Sequence, residues 1–189
     1  VVVDMQNDFA DPAGSLSVTG GGEVVEAVNR ELRRAREAGA LVVFSRDWHP
    51  PSTPHFEKDG GIWPVHCVRD TWGAEFVDGL DLAGIGAGVE VVSKGTGGED
   101  GYSVFSVRDP RSGATSDTVL EELLRARGVE RVVVVGLATD YCVKETVLDG
   151  RRRGFAVEVV RDGVRPVDRA PGDGDRALEA MTRAGADVI

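Results

Sequence analysis

The chain of 189 residues carries a formal net charge of -10, which argues against a nucleic-acid backbone or an anionic membrane surface as partner, because both call for a basic face. Its length suits one well-buried domain and no segment reads as a linker. Two cysteines, Cys67 and Cys142, fit a reducing compartment better than a disulfide framework, so the cytoplasm is the expected location, and no apolar run is long enough to span a bilayer.

Strand-like and helix-like segments then alternate along the chain. Residues 1–4 (VVVD) read as a strand, followed by a helical face of Val24, Val25, Val28, Leu32 and Ala35 that Gly39 ends. Residues 41–47 and 89–94 read as the next two strands. A helix follows with Val119, Leu120, Leu123 and Leu124 inward, stopped at Gly128. The valine run from Val132, closed by Gly136, is a fourth strand, and the segment after Thr139 and Asp140 is a helix that either residue is suited to cap. After Gly154 come a strand at 155–160, a helix around 175–184 and a final apolar stretch at 187–189. Strands separated by helices imply right-handed crossovers and a mainly parallel central sheet covered on both faces. The fold class is therefore α/β, a three-layer α/β/α domain spanning 1–189.

One connection breaks the rhythm. The stretch 48–89 is far longer than an ordinary link between strand and helix, and such loops are generally functional or disordered. It holds every histidine and tryptophan of the chain (His49, His55, His66, Trp48, Trp63 and Trp72) beside four prolines, a content that speaks for a packed loop. Asp47 and His49 form D-x-H at the end of the second strand, with His55 and His66 beyond. A carboxylate with imidazoles suits a divalent Zn, Fe or Mn ion and leaves positions open for water or substrate. The bland alternative is three scattered surface or capping histidines.

The topology draws further residues together. In an open parallel sheet, ligands bind beyond the carboxyl ends of the strands. Asp4 ends the first predicted strand, Asp47 the second and Lys94 the third, and Cys142 follows the fourth. Together they supply a nucleophile, a carboxylate to move its proton and a cation to hold that carboxylate ionised. Cys142 sits at the first turn of a predicted helix, where the dipole and orphan amides are expected to favour thiolate over thiol. Taken singly, Cys142 reads equally as a small residue packing the turn, Asp4 as a loop cap and Lys94 as a surface charge.

Five motifs now stand in order: DMQNDF at 4–9, RDWHPPSTPHF at 46–56, WPVHC at 63–67, SKG at 93–95 and GLATDYCV at 136–143. In them the chain resembles the nicotinamidases (pyrazinamidases) of the isochorismatase-like cysteine hydrolase superfamily, over essentially its whole length. The resemblance implies that fold, a catalytic triad of Asp4, Lys94 and Cys142, and metal ligation by Asp47, His49 and His66 with His55 as a further ligand. It implies an often cis peptide at Leu137-Ala138, and an oxyanion hole from the backbone amides of Ala138 and Cys142. Phe9, Trp63, Tyr102 and Ala138 correspond to the walls of a ring pocket; Cys67, beside His66, reads by its own context as a packing residue rather than a metal or redox group. The implied reaction is hydrolysis of nicotinamide to nicotinate and ammonia through a cysteine thioester, in NAD salvage, with pyrazinamide a second substrate. The rivals are a related amidohydrolase acting on a ureido or carbamoyl amide, an isochorismatase-type enzyme, and a non-catalytic domain of the same fold. Metal identity and the formation of a homo-oligomer are left open.

Overall fold

The computed structural model describes residues 1–83 and 89–189, so residues 84–88 of the predicted 48–89 loop region lie outside the described residues. Six parallel strands form the central sheet: β1 (Val2–Val3), β2 (Val43–Asp47), β3 (Glu90–Lys94), β6 (Arg131–Leu137), β7 (Ala156–Arg165) and β8 (Asp187–Val188). Their order is β3-β2-β1-β6-β7-β8, so the chain order reverses between β1 and β6. That reversal opens a crevice at the carboxyl ends of the strands, the place where doubly wound sheets bind ligands.

Two-residue alternation along the valine-rich strands builds a core on each face. Val2, Phe44, Val135 and Val160 enter one core, against Val28 and Leu32 of helix α2 (Val25–Glu37). Their sequence neighbours Val3, Val43, Val134 and Val159 enter the other. That second core is closed by Leu120 and Leu124 of α3 (Leu120–Ala126), Val147 of α4 (Lys144–Arg152) and Met181 of α5 (Asp173–Arg183). The sheet is thus the middle layer of three, as the alternation of segments predicts. Val119, predicted to face inward, is instead exposed, because α3 begins one residue later and turns it to solvent.

Two departures bear on the site. The predicted strand at 132–136 runs on to Leu137 through Gly136, which sits at φ 112 beside a shift of register against β7. A Cβ there would lie 2.0 Å from the Val3 carbonyl oxygen, so only glycine lets β6 approach β1 this closely. The second departure is an exposed two-stranded hairpin, β4 (Ser106–Arg108) with β5 (Thr115–Asp117), which the sequence reading did not anticipate. A short helical turn, α1 (Asn7–Ala10), follows β1 directly.

Candidate active site

The DMQNDF segment shows how the rim is assembled. Asp4 lies just past β1 at φ 45, in the left-handed region that a non-glycine residue adopts only where the surroundings hold it. Its amide donates to the Ser45 carbonyl at 3.2 Å, and the Ser45 hydroxyl donates to its carboxylate at 2.7 Å. Two residues on, the Gln6 side chain donates to the carbonyls of Asp47 (2.7 Å) and Ala74 (2.9 Å) and accepts from the Asp47 amide (2.7 Å). Asn7 donates to the Trp72 carbonyl at 2.8 Å, and the Asp8 carboxylate accepts from the Cys67 amide at 2.6 Å. One short segment therefore carries Asp4 and also fastens the end of β2 and the long loop around it.

Lys94 completes the floor. Fully buried, its ammonium donates to Asp4 at 2.8 Å, to Asp47 at 2.5 Å and to the Gly101 carbonyl at 2.5 Å. All three donors of the ammonium are used, as a buried cation requires. The Cys142 sulfur and a carboxylate oxygen of Asp4 and of Asp47 lie within 4.8 Å of one another. Burial alone would push Lys94 down, but the two carboxylates outweigh it and keep the amine charged well above its ordinary range. Burial raises Asp4, with the neighbouring Asp47 charge adding to it against the pull of Lys94. Asp47 goes the other way: Lys94, His49 and His66 overcome its burial and hold it ionised. The two carboxylates are therefore set apart, one firmly ionised and the other readier to take a proton.

Cys142 corrects two sequence expectations. Thr139–Val143 forms a single π-helical turn ahead of α4, and neither Thr139 nor Asp140 caps it; Ala138 holds the cap position in extended geometry without a side-chain bond. The Asp140 carboxylate is committed elsewhere, accepting from the amides of Val167 and Asp168 at 2.9 Å each and so pinning the loop after β7. Nor does the turn favour thiolate. Burial, with the charges of Asp4 and Asp47, pushes the Cys142 thiol well above its ordinary range against the pull of Lys94. Burial disfavours the charged form of a nucleophile placed this deep. The peptide before Ala138, Leu137-Ala138, is cis.

Beside this floor, the ring nitrogens of His49, His55 and His66 come within 4.8 Å of one another, all three residues being buried. Asp47 flanks them, its second oxygen 3.7 Å from His49 Nε2 and 4.0 Å from His66 Nε2. His66 Nδ1 pairs with the Pro64 carbonyl at 2.7 Å and His55 Nδ1 with Asp100 at 2.7 Å, which leaves each Nε2 free. Among the described residues neither ring nitrogen of His49 has a hydrogen-bond partner. A buried imidazole left unpaired is costly unless something else satisfies it. Burial also lowers His66 to about 4, so its imidazole is neutral near pH 7, as ligation demands. The donor set fits a divalent ion. Gly95, at φ 69, packs its backbone against the His49 ring, where a Cβ would fall 2.4 Å from Cε1.

A small cavity opens beside both groups. Phe9, Trp63, Tyr102 and Ala138 line it, as the family resemblance implies, together with Asp47, His55, His66 and Cys142. The sequence reading missed Tyr141, Leu16, Gly101 and Val167 on the same wall. Tyr141 was open to inference, being an aromatic residue directly beside the cysteine. Val167 was not, since Asp140 brings it in across 27 positions of sequence. Trp63 donates to the Tyr102 hydroxyl at 2.8 Å and meets Tyr141 edge-on at a ring separation of 4.7 Å, with the Arg169 guanidinium 5.1 Å from its centroid. Cys67 packs without touching this cavity; it is wholly buried, and burial raises its thiol well above the ordinary range.

Comparison with known proteins agrees with the architecture. The isochorismatase domain family model matches residues 1–189. A nicotinamidase of Escherichia coli is 36% identical over 98% of the chain and 91% of its own length. A nicotinamidase/pyrazinamidase of Mycobacterium tuberculosis is 38% identical over 100% of the chain and 96% of its own. The crystal structure of a pyrazinamidase of Pyrococcus horikoshii in complex with zinc superposes with a TM-score of 0.86 at 42% identity, covering 100% of this chain and 96% of that one.

Proposed function

The chain is an amidohydrolase belonging to the isochorismatase family, and we propose that it is a metal-dependent, cytoplasmic amidase that converts nicotinamide to nicotinate and ammonia through a thioester on Cys142. The observation that supports this reading most is the joint burial of the Asp4–Lys94 pair, Cys142 and three imidazoles, with Cys142, His55 and His66 lining one small aromatic cavity. Two unpaired cysteines suit a reducing compartment.

A carboxamide is a poor electrophile with a poor leaving group, so the site must deliver a strong nucleophile, charge stabilisation and a proton. Asp4 takes the Cys142 proton as the sulfur attacks the amide carbon. The backbone amides of Ala138 and Cys142 receive the developing oxyanion. Asp4 then passes the proton to the departing nitrogen, the C–N bond breaks and ammonia leaves an acyl thioester. In the second half Asp4 takes a proton from water as it adds to the thioester. The C–S bond breaks, nicotinate leaves and the proton returns to Cys142. Lys94 holds Asp4 in place between transfers and keeps its ionised form accessible. Phe9, Trp63 and Tyr102 enclose the ring and exclude bulk water. Asp47, His49, His66 and His55 would hold a zinc, iron or manganese ion, which would supply a Lewis-acid anchor to orient the substrate through its pyridine nitrogen.

A ureido or carbamoyl amide hydrolase would use the same Asp4, Lys94 and Cys142, but would leave the three imidazoles without a task. The test is ammonia release from nicotinamide, pyrazinamide and benzamide on one metal-loaded preparation, read as kcat/KM. Benzamide keeps the ring shape and the carboxamide but lacks the ring nitrogen. Loss of registration of about an ångström costs on the order of a hundredfold in rate, and benzamide should fall by that much while pyrazinamide stays a substrate. Equal values for nicotinamide and benzamide would remove pyridine carboxamides as the favoured class.

A further inference from the structure

Asp100 is a partly buried carboxylate to which the reaction above gives no part. Its Oδ1 lies 2.7 Å from His55 Nδ1, with the two side chains only 13% and 4% exposed. We propose that Asp100 is a positioning residue that orients His55 as a metal ligand and sets how tightly the site holds its ion. This inference rests on the metal reading of the three imidazoles.

The geometry carries it in two ways. An ionised carboxylate only accepts, so Nδ1 must carry the hydrogen and the lone pair falls on Nε2, which belongs to the group formed with His49 and His66. A carboxylate behind an imidazole also makes it a stronger ligand, and losing such an outer partner typically costs 10–100-fold in metal affinity. Among the described residues the three imidazoles differ in this respect. His66 Nδ1 leans on a carbonyl and His49 Nδ1 on nothing, while Asp47 stands 3.7 and 4.0 Å from their Nε2 atoms, so only His55 has a carboxylate hydrogen-bonded behind its ring.

Asp100 is itself held in register from outside the site. Its amide donates to the Arg108 carbonyl at 2.8 Å and the Arg108 amide donates back at 2.9 Å, which ties it to the end of β4. The backbone of His55 is tied to the same glycine-rich segment: its amide donates to Thr53 Oγ1 at 3.2 Å, and that hydroxyl donates to the Gly98 carbonyl at 2.8 Å. Residues 98–100 therefore grip His55 by ring and by backbone, and the exposed hairpin is their outer brace.

The experiment is zinc affinity of the metal-stripped full chain, measured by competition with a chromophoric chelator in the absence of substrate. Asp100→Ala should weaken zinc binding by about 10–100-fold, and Asp100→Asn, which keeps an acceptor but no charge, by less. In a His55→Ala background Asp100→Ala should change nothing further, because it acts through that ring. Amide hydrolysis by Asp100→Ala at saturating zinc should return close to the unmodified rate, which a merely misfolded site would not allow. Should Asp100→Ala fail to fold, Asp100→Asn carries the test. Unchanged zinc affinity in the variants, or an equal loss with and without His55, would overturn the inference while leaving the metal reading intact. An unmodified chain that binds none of zinc, iron and manganese would overturn both.

Discussion

Two ion pairs of this molecule have similar geometry and opposite meaning. Arg30 and Asp162 form a bidentate pair at 2.9 and 2.8 Å, with side chains 41% and 62% exposed. Lys94 and Asp4 form a single contact at 2.8 Å with both side chains fully buried. By geometry the first is the better pair. Water and salt screen it, however, and holding two long side chains together offsets most of the gain. The second pair pays a desolvation penalty that only its further partners Asp47, Ser45 and Gly101 make tolerable. Such an arrangement does more to set protonation states beside Cys142 than to hold the fold. Burial, rather than hydrogen-bond quality, is what separates a functional charge from a decorative one.

The contrast can be tested step by step. Cys142→Ala, the reacting atom itself, should lower kcat by about a million-fold, the scale on which removal of a nucleophile acts, with the circular dichroism spectrum unchanged. Mass spectrometry of the unmodified chain quenched during turnover should find an acyl adduct on Cys142. Appreciable ammonia release by the variant would end the thioester scheme. Lys94→Met should follow, with a loss of about 10²–10⁴-fold, the range for general acid–base groups, and about 3–5 kcal/mol of stability, the cost of leaving buried charge unpaired. Its pH profile is the sharper readout. Asp4 must be ionised to take the thiol proton, burial already raises it, and Lys94 is the main opposing influence. Removing that cation raises Asp4 further, so the acid limb of kcat/KM should move to higher pH. An unchanged limb would reduce Lys94 to packing.

The metal site should respond on a smaller scale. Treatment with a chelator is expected to lower activity by about 10–100-fold, in line with a misplaced substrate or a lost outer-shell contact, and added zinc or manganese should restore it. His49→Ala should show the same loss with incomplete recovery. Full activity in protein shown by elemental analysis to hold almost no metal would detach the imidazoles from the reaction. Smallest of all, Arg30→Ala should leave both kcat/KM and the urea midpoint where they were. A midpoint drop matching that of Lys94→Met would show that exposure does not discount the Arg30–Asp162 pair.

How much of this could be read from sequence depends on the distance over which each feature is determined. The strands and their carboxyl ends follow from local valine runs, so the rim of Asp4, Asp47, Lys94 and Cys142 was legible once a parallel sheet was inferred. The supports of that rim were not. Gln6 reaches Asp47 across 41 positions and Asp8 reaches Cys67 across 59, separations that no periodicity encodes. Asp140 looked like a helix cap because Asp before a helix usually is one, yet here a loop after β7 claims its carboxylate. The β4–β5 hairpin escaped notice because all three residues of β5 are exposed, so it carries no alternation of apolar and polar residues.

Trp63 gives the pocket an optical handle. It is 4% exposed, bonded to Tyr102 and edge-on to Tyr141, whereas Trp48 is half-buried and Trp72 is 49% exposed. Replacing Trp48 and Trp72 with Phe leaves an indole that serves as a single internal fluorophore on the cavity wall. Its emission should be blue-shifted in the free protein and should change as a ring enters beside it. Occupancy then becomes measurable in a cuvette without any turnover, including in Cys142→Ala, so that affinity and chemistry are read from the same molecule by separate signals.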